Sequence, residues 1–463
     1  MKSIAATLSF LAFSILPAQC EKPNVIVFLI DDLGWADLSC QGSQYYETPN
    51  LDKLAASGIR FTNSYSANPV CSPTRAALLT GKAPQRVGIT QWIPQPSTLH
   101  LPAEETTIAE AFQSAGYQTG YIGKWHLGEK NNQLPTANGF SWMKSVNRAG
   151  QPASYFFPYT RKSKRGNYWD VPDLKDGKEG DYLTDALTDH ALDFIKEKKT
   201  KPFLLYFGHY AVHTPIQAPK ELVKKYEEKK KKLYGNSGAE KIFHRYQTTS
   251  RPRQDHATYA AMMENLDTNI GRVMDKLDEL KLTENTIILF TSDNGGHCHL
   301  KKSPGVTCNL PLKSGKGWTF EGGIRIPTII SWKGKLKPGI CDTPMISMDV
   351  MPTLLDLTDQ KLLPKQHLDG TSLKPALLGN ATPALNERTL AWTYPHNHGS
   401  GHRPSHAIRK GNWKLIRFDT TNTNELYDLS TDLGEKTDLA KKHPDKVNAL
   451  HAELATWIKE TTP

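Results

Sequence analysis

The sequence predicts an α/β fold: a large mixed, mostly parallel sheet sandwiched by helices, followed by a smaller C-terminal α+β subdomain containing an antiparallel sheet. Three observations carry that prediction. Four short, continuous runs of β-branched and aromatic residues each end abruptly in polar or charged residues, as strands buried on both faces of a parallel sheet do. Helix-period segments alternate with those runs, the pattern of β-α-β connectivity. From roughly Ala391 the pattern changes to short strands in close succession and a closing helix, which reads as a small antiparallel sheet.

In chain order, residues 1–20 hold one early lysine, an apolar run from Ile4 to Leu16, and small residues at Ala18 and Cys20. They predict a signal peptide, because the run is shorter than the roughly 20 residues of a spanning helix. The mature chain is expected to be exported, to the periplasm or beyond the cell, with no transmembrane segment. It divides into a catalytic domain over 21–378 and a subdomain over 379–463.

The strand runs are Asn24–Asp32, Gly116–His126, Pro202–His213 and Asn285–Gly295, and the helices fall within Thr48–Gly58, Thr106–Gly116, Tyr182–Lys198 and Thr258–Lys281. Ligands of such sheets bind beyond the carboxyl ends of the strands, so the polar residues ending the four runs converge on one site. The C-terminal strands are Ala407–Phe418 and Glu425–Ser430, before a helix near His443–Glu460.

A hydrophobic content of 38% with 22% charged residues is that of a globular protein, and the net charge is +10. Much of the excess lies in Arg161–Gly166 and Lys224–Gly235, which interrupt the pattern as solvated surface insertions or as a surface attracting a polyanion. Nucleic acid is not an expected partner, since no zinc spacing, RNP-like motif or repeat accompanies the charge. Of the six cysteines, Cys40, Cys298, Cys308 and Cys341 are candidates for pairing in an oxidising compartment, with Cys298–Cys308 closing a short loop.

Asp31 and Asp32 end the first strand, and Asp293 with Asn294 ends the fourth. Three carboxylates and an amide oxygen brought together repel unless a hard cation lies between them, and oxygen ligands suit calcium or magnesium. An isolated Asp-Asp is more often a turn or cap; two such clusters at equivalent strand ends favour the metal. Lys124 and His126 alternate along an extended segment and share a face. His213 follows the third strand, with His209 as a lesser candidate, and histidines suit acid–base work near neutral pH. Lys316 lies between glycines that let an ammonium approach an anion. Cys71 precedes Ser72, a candidate cap, and Pro73, a candidate first helical residue, of a helix that Gly81 ends. A helix N-terminus there favours an anion, with Arg75 one turn on.

These residues resemble the type I sulfatases of the alkaline phosphatase superfamily. The stretch CSPTRAALLTG matches that family's signature C-x-P-x-R-x(3)-L-T-G, and GKWHLG, SDNG and GKGWTFEGGIRIP match its other motifs in order. The resemblance implies that a separate maturation enzyme oxidises Cys71 to formylglycine. One hydroxyl of the aldehyde hydrate attacks sulfur; the other then loses a proton as sulfate leaves. It further implies Asp31, Asp32, residue 71, Asp293 and Asn294 as calcium ligands, and Arg75 and Lys124 as holders of the nucleophile. His126 is implied as the base in sulfate elimination, and His213 and Lys316 as contacts to the sulfate, His213 being the general acid.

Phosphonate and phosphodiester hydrolases of the superfamily carry a similar signature but usually add histidines to the metal site. Asn294 beside Asp293 favours calcium and sulfate esters. A catalytically silent sulfated-glycan-binding protein is the remaining alternative, against which the full ionisable set weighs. The expected substrate is a sulfated carbohydrate, with His396, His398, His402 and Arg403 of the loop Trp392–Gly411 contacting the sugar.

Overall fold

The structure, a computed structural model, describes residues 22–162, 168–236, 242–244, 248–300 and 304–462. The expected signal peptide lies outside these residues, as does most of the basic run 161–166. No helix among the described residues is long and apolar enough to cross a membrane.

The main sheet comprises β1 (Asn24–Ile30), β2 (Ile59–Phe61), β3 (Gln118–Gly123), β4 (Trp142–Lys144), β5 (Phe203–Gly208), β6 (Thr286–Ser292), β7 (Thr328–Trp332) and β8 (Gly339–Cys341), in the order β8-β2-β7-β6-β1-β5-β3-β4. Only β7 runs against both its neighbours, which makes the sheet mixed. The side-chain alternation of β1 builds both cores. Ile26, Phe28 and Ile30 face one core with residues of α4 (Leu183–Lys198) and α6 (Ala257–Glu279). Val25, Val27 and Leu29 face the other with residues of α2 (Cys71–Thr80), α3 (Ile108–Ser114) and α7 (Val350–Leu357). Helix α6 packs against α4, α1 (Pro49–Ser57) and α5 (Lys220–Tyr234).

Helix α5 corrects the reading of the second basic run as an interruption. Tyr226 buries completely, its ring edge-on to Tyr45 at 5.6 Å. Lys225 and Lys229 pair with Glu47, and Lys225 also with Glu264. A single buried face with paired lysines on the outside makes a surface helix.

Strands β9 (Thr389–Tyr394), β10 (Ser405–Lys410), β11 (Trp413–Phe418) and β12 (Thr423–Asp428) form an antiparallel sheet. One face, Ala391, Ile408, Leu415 and Leu426, packs on α8 (Pro444–Thr461). The other, Leu390, Trp392, Ala407, Ile416 and Tyr427, packs on Tyr65, Trp318, Phe320 and Ile346 of the main body.

A buried ion cluster crosses that seam. Lys414 Nζ lies 2.8 Å from both Glu321 Oε1 and Glu435 Oε1. Glu321 Oε2 takes Arg325 Nε at 2.6 Å and the Tyr65 hydroxyl at 2.8 Å. Glu435 Oε2 accepts the Glu321 amide at 2.7 Å, and Arg409 donates to Tyr65.

The expected Cys298–Cys308 bridge is absent: Cys40, Cys71, Cys298, Cys308 and Cys341 are all free thiols. Hydrogen bonds close that loop instead. Val306 N donates to the His297 carbonyl at 2.9 Å, and the Asn309 amide reaches the carbonyls of Gly296, Ser314 and Gly322.

Candidate active site

Strand register brings the site together. Ile30 pairs with Ser292 of β6, Leu29 with Gly208 of β5, and Gly208 with Gly123 of β3. The residues that follow, Asp31 and Asp32, Asp293 and Asn294, His209 to His213, and Lys124 to His126, therefore emerge side by side. Asp31, Asp32 and His213 offer ligand atoms all within 4.8 Å of one another.

Helix α2 brings Cys71 to these strand ends. The helix starts at Cys71 itself, with Val70 as the capping residue and no side-chain cap. That corrects the expected role of Ser72, whose hydroxyl accepts the Ile93 amide at 3.1 Å instead and ties a neighbouring loop to the helix. Pro73 then lies in the first turn, where its missing N–H costs nothing. Gly81 ends the helix at φ 68° and returns its N–H to Ala77. Cys71 is 3% exposed.

Arg75, one turn on, is held from two sides. Its Nε and Nη2 hold Asp293 Oδ2 at 2.9 and 2.8 Å, and Nη1 donates to the Lys124 carbonyl at 2.7 Å. Lys124 Nζ meets Asp31 Oδ2 at 2.6 Å, and Lys316 Nζ meets Asp32 Oδ1 at 2.6 Å. Burial pushes the Asp31 carboxyl well up against the pull of Lys124. Burial also opposes ionisation of Asp32, but Lys316 and His213 hold it below the usual range.

Three acceptors here have nothing to accept from: Asp31 Oδ1, Asp32 Oδ2 and Asn294 Oδ1 are buried without a hydrogen-bond partner. An unmet buried acceptor costs roughly 1–3 kcal/mol, more when charged, and three oxygens from adjacent strand ends fit a hard cation. Asp293 is more engaged, with Oδ2 on Arg75 and Oδ1 at 3.2 Å from the Asp32 amide.

Two histidines have tautomers set by backbone carbonyls. His126 Nε2 donates to Ile93 O at 2.8 Å, which leaves Nδ1 to accept from the Cys71 thiol at 3.2 Å. The ring packs so closely that a Cβ on Gly150 would stand 2.3 Å from it. His213 Nδ1 donates to Thr214 O at 2.9 Å, and Nε2 faces Asp32 Oδ2 at 3.6 Å. Burial depresses both imidazoles, reinforced by Lys124 for His126 and by Lys316 for His213. His209 stacks on Phe207 at 3.8 Å, both its ring nitrogens buried without partners. It is a packing ring.

A pocket of about 420 Å³ opens over this cluster, lined by Cys71, His126, His213, Lys316 and His398. His398 reaches it because Gly317, at φ 83°, leaves no Cβ in the way; one would stand 2.2 Å from the imidazole Nδ1. The other three loop candidates are not part of this lining. His396 bonds Thr90 at 3.0 Å, His402 is buried against Tyr394 and Trp318, and Arg403 bonds the carbonyls of Gly401 and His402. Sequence reasoning missed Trp92 and Gln151, which also line the pocket. A large aromatic among the polar residues of Thr90–Gln95 was the signal available for Trp92.

The mixed sheet, with acids at adjacent strand ends beside a cysteine that opens a buried helix, matches the sulfatase fold of the alkaline phosphatase superfamily. Residues 23–360 match the Sulfatase family, and residues 314–461 match the family described as N-sulphoglucosamine sulphohydrolase, C-terminal. Human (Homo sapiens) arylsulfatase A is 32% identical over 464 residues, covering 91% of this chain and 84% of that protein. N-acetylgalactosamine-6-sulfatase of Canis lupus familiaris is 34% identical over 384 residues, covering 78% of this chain and 66% of that protein; the chain thus spans just under two thirds of that relative. The solved structure of Ps i-CgsB is 30% identical with a TM-score of 0.78, covering 94% of this chain and 93% of that one. That protein has also been solved with k-i-k-neocarrahexaose. The chain belongs to the sulfatase family.

Proposed function

We propose that the protein hydrolyses sulfate esters of carbohydrates, with residue 71 carrying the nucleophile after maturation and a calcium ion at the strand ends. The observation that carries this reading is the set of three orphaned oxygens on Asp31, Asp32 and Asn294 beside the Cys71 helix terminus. Asp31, Asp32, Asp293 and Asn294 would hold the ion. When present, calcium supplies positive charge to the ester oxygens, and formylglycine made from Cys71 by a maturation enzyme supplies a hydroxyl nucleophile.

The chain's own residues supply the rest. Arg75, held on Asp293 and the Lys124 carbonyl, places positive charge one turn from residue 71. Lys124 and Lys316 add two ammonium groups at the same point, a preorganised field for charge developing on sulfate oxygens. His126 Nδ1 is the atom placed to take a proton from side chain 71. His213 Nε2 is the atom placed to give one to the leaving sugar oxygen. Burial and Lys316 disfavour that proton in the free protein, and an arriving anionic ester offsets both.

The carbohydrate assignment draws on the relatives' names and on His398 in the pocket wall; export to the periplasm or beyond draws on residues 1–20. The test is sulfate release from a panel of sulfated galactoses and other sulfated sugars by protein co-produced with the maturation enzyme, with and without a calcium chelator. Release that the chelator removes is expected. Hydrolysis of phosphodiesters or phosphonate monoesters in its place would assign the chain to another branch of the superfamily, and tight binding without turnover by fully converted protein would make it a glycan-binding relative.

A further inference from the structure

Beside the pocket over Cys71 lies a second cavity of about 680 Å³. The two share Gln95 and Ala149 as walls. One stretch of chain, Val146 to Gln151, lines both: its first four residues face the larger cavity, and Ala149, Gly150 and Gln151 face the smaller. Gln95 donates its side-chain amide to the Arg148 carbonyl and fixes the sill between them. The two cavities therefore form one cleft with the reacting end at Cys71. At the mouth of the reacting end stands Trp92, 44% exposed, a flat aromatic face of the kind on which a sugar ring stacks.

The charged lining of this cleft differs between its two ends. Among the described residues, the reacting end is lined by Lys316, paired with Asp32, and by no carboxylate. Among the described residues, the second cavity is lined by Glu129, Asp170 and Asp173 against the guanidinium of Arg148. Lys144 reaches Asp173 at 3.6 Å from beside the cavity, which leaves Glu129 and Asp170 in excess of Arg148 among those residues. A second sulfate or a uronate placed there meets like charge, which costs affinity.

We propose that the second cavity is the subsite for the sugar next to the sulfated one, and that it selects an uncharged neighbour. This rests on the sulfatase reading and narrows it: the substrate is an oligosaccharide or chain end in which the unit beside the target sulfate bears no charge of its own.

The test uses matured protein and three probes: the sulfated galactose that turns over fastest, the same unit extended by a neutral sugar, and the same unit extended by a sulfated sugar. The neutral extension is expected to raise kcat/KM about tenfold over the monosaccharide, and the sulfated extension to lose that gain. Asp170→Lys, at an exposed position that leaves the fold intact, is expected to shift the ratio between the two disaccharides about tenfold toward the sulfated one. Equal kcat/KM on all three probes, or a ratio indifferent to Asp170→Lys, overturns this inference and leaves the sulfatase reading standing. No release from any sulfated sugar overturns both.

Discussion

The protein buries two clusters of charge, and they are built to opposite ends. At the seam between the main body and the C-terminal sheet, both carboxylates are met from within the chain. Glu321 spends its two oxygens on Lys414, Arg325 and Tyr65; Glu435 Oε2 accepts the Glu321 amide, and its Oε1, without a hydrogen bond, lies 2.8 Å from the Lys414 ammonium. At the strand ends, Asp31, Asp32 and Asn294 each keep an oxygen with no donor, although Lys124, Lys316 and Arg75 lie within reach. Both clusters are as deeply buried, so burial alone does not mark function. What distinguishes the strand ends is that three such acceptors, on Asp31, Asp32 and Asn294, fall in one place, where Arg75 Nη2 stands 4.0 Å from Asp31 Oδ1 and His213 Nε2 3.6 Å from Asp32 Oδ2.

The contrast breaks most visibly at Cys71. In matured protein Cys71→Ala should reduce sulfate release by about 10⁴-fold or more, with the melting temperature unchanged; a loss under tenfold would remove residue 71 from the chemistry. The mirror-image variant is Lys414→Met. Stranding Glu321 and Glu435 without their shared cation should cost about 3–5 kcal/mol of unfolding free energy, read by denaturant titration. A variant as stable as the parent would show that the seam cluster is not structural.

Calcium sharpens the comparison from the other side. At about one hundred times its Kd the ion should add about 2.7 kcal/mol of stability, and chelation should remove it. Asp32→Asn should abolish that shift and Glu435→Gln should preserve it; an equal loss in both would mean that the ion binds elsewhere. The smallest effect is a pH dependence. Burial, reinforced by Glu321, pushes Glu435 from 4.5 up to about 7, against the pull of Lys414. A raised carboxyl favours the folded state most when protonated, so its contribution is complete below pH 4.5 and is lost as pH rises through about 7. Glu435→Gln should flatten that slope between those limits. Parallel stability curves for parent and variant would refute it.

The parts of this protein that sequence makes legible are those with a period or a fixed spacing. The four long strands end where their apolar runs end, because a strand buried on both faces has no room for a polar residue until it leaves the sheet. For the same reason Asp31, Asp293, Lys124 and His213 could be grouped before any geometry was known. The seam cluster had only part of such a signal: Glu321 and Arg325 fall in the motif GKGWTFEGGIRIP, but no spacing joins them to Lys414 and Glu435. Glu321, Lys414 and Glu435 are far apart along the chain, and each reads singly as a surface charge; only tertiary packing turns them inward. The loop histidines failed to separate for a related reason. His398 and His402 are alike in composition, and the positive φ of Gly317 admits one of them to the pocket wall while Trp318 and Tyr394 cover the other. Ser72 misled because its hydroxyl found a longer-range partner in Ile93.

The pairing of β1 with β6 also sets a clock. Asn24 lies opposite Thr286 and Ile30 opposite Ser292, so the two halves of the acidic cage lie on neighbouring strands while more than half the chain separates them in synthesis order. A growing chain that has made β1 carries Asp31 and Asp32 with neither Asp293 nor Asn294 to join them. Contacts of such long range close late and slowly. On the proposed reading, acquisition of the ion would signal that the central strands have met.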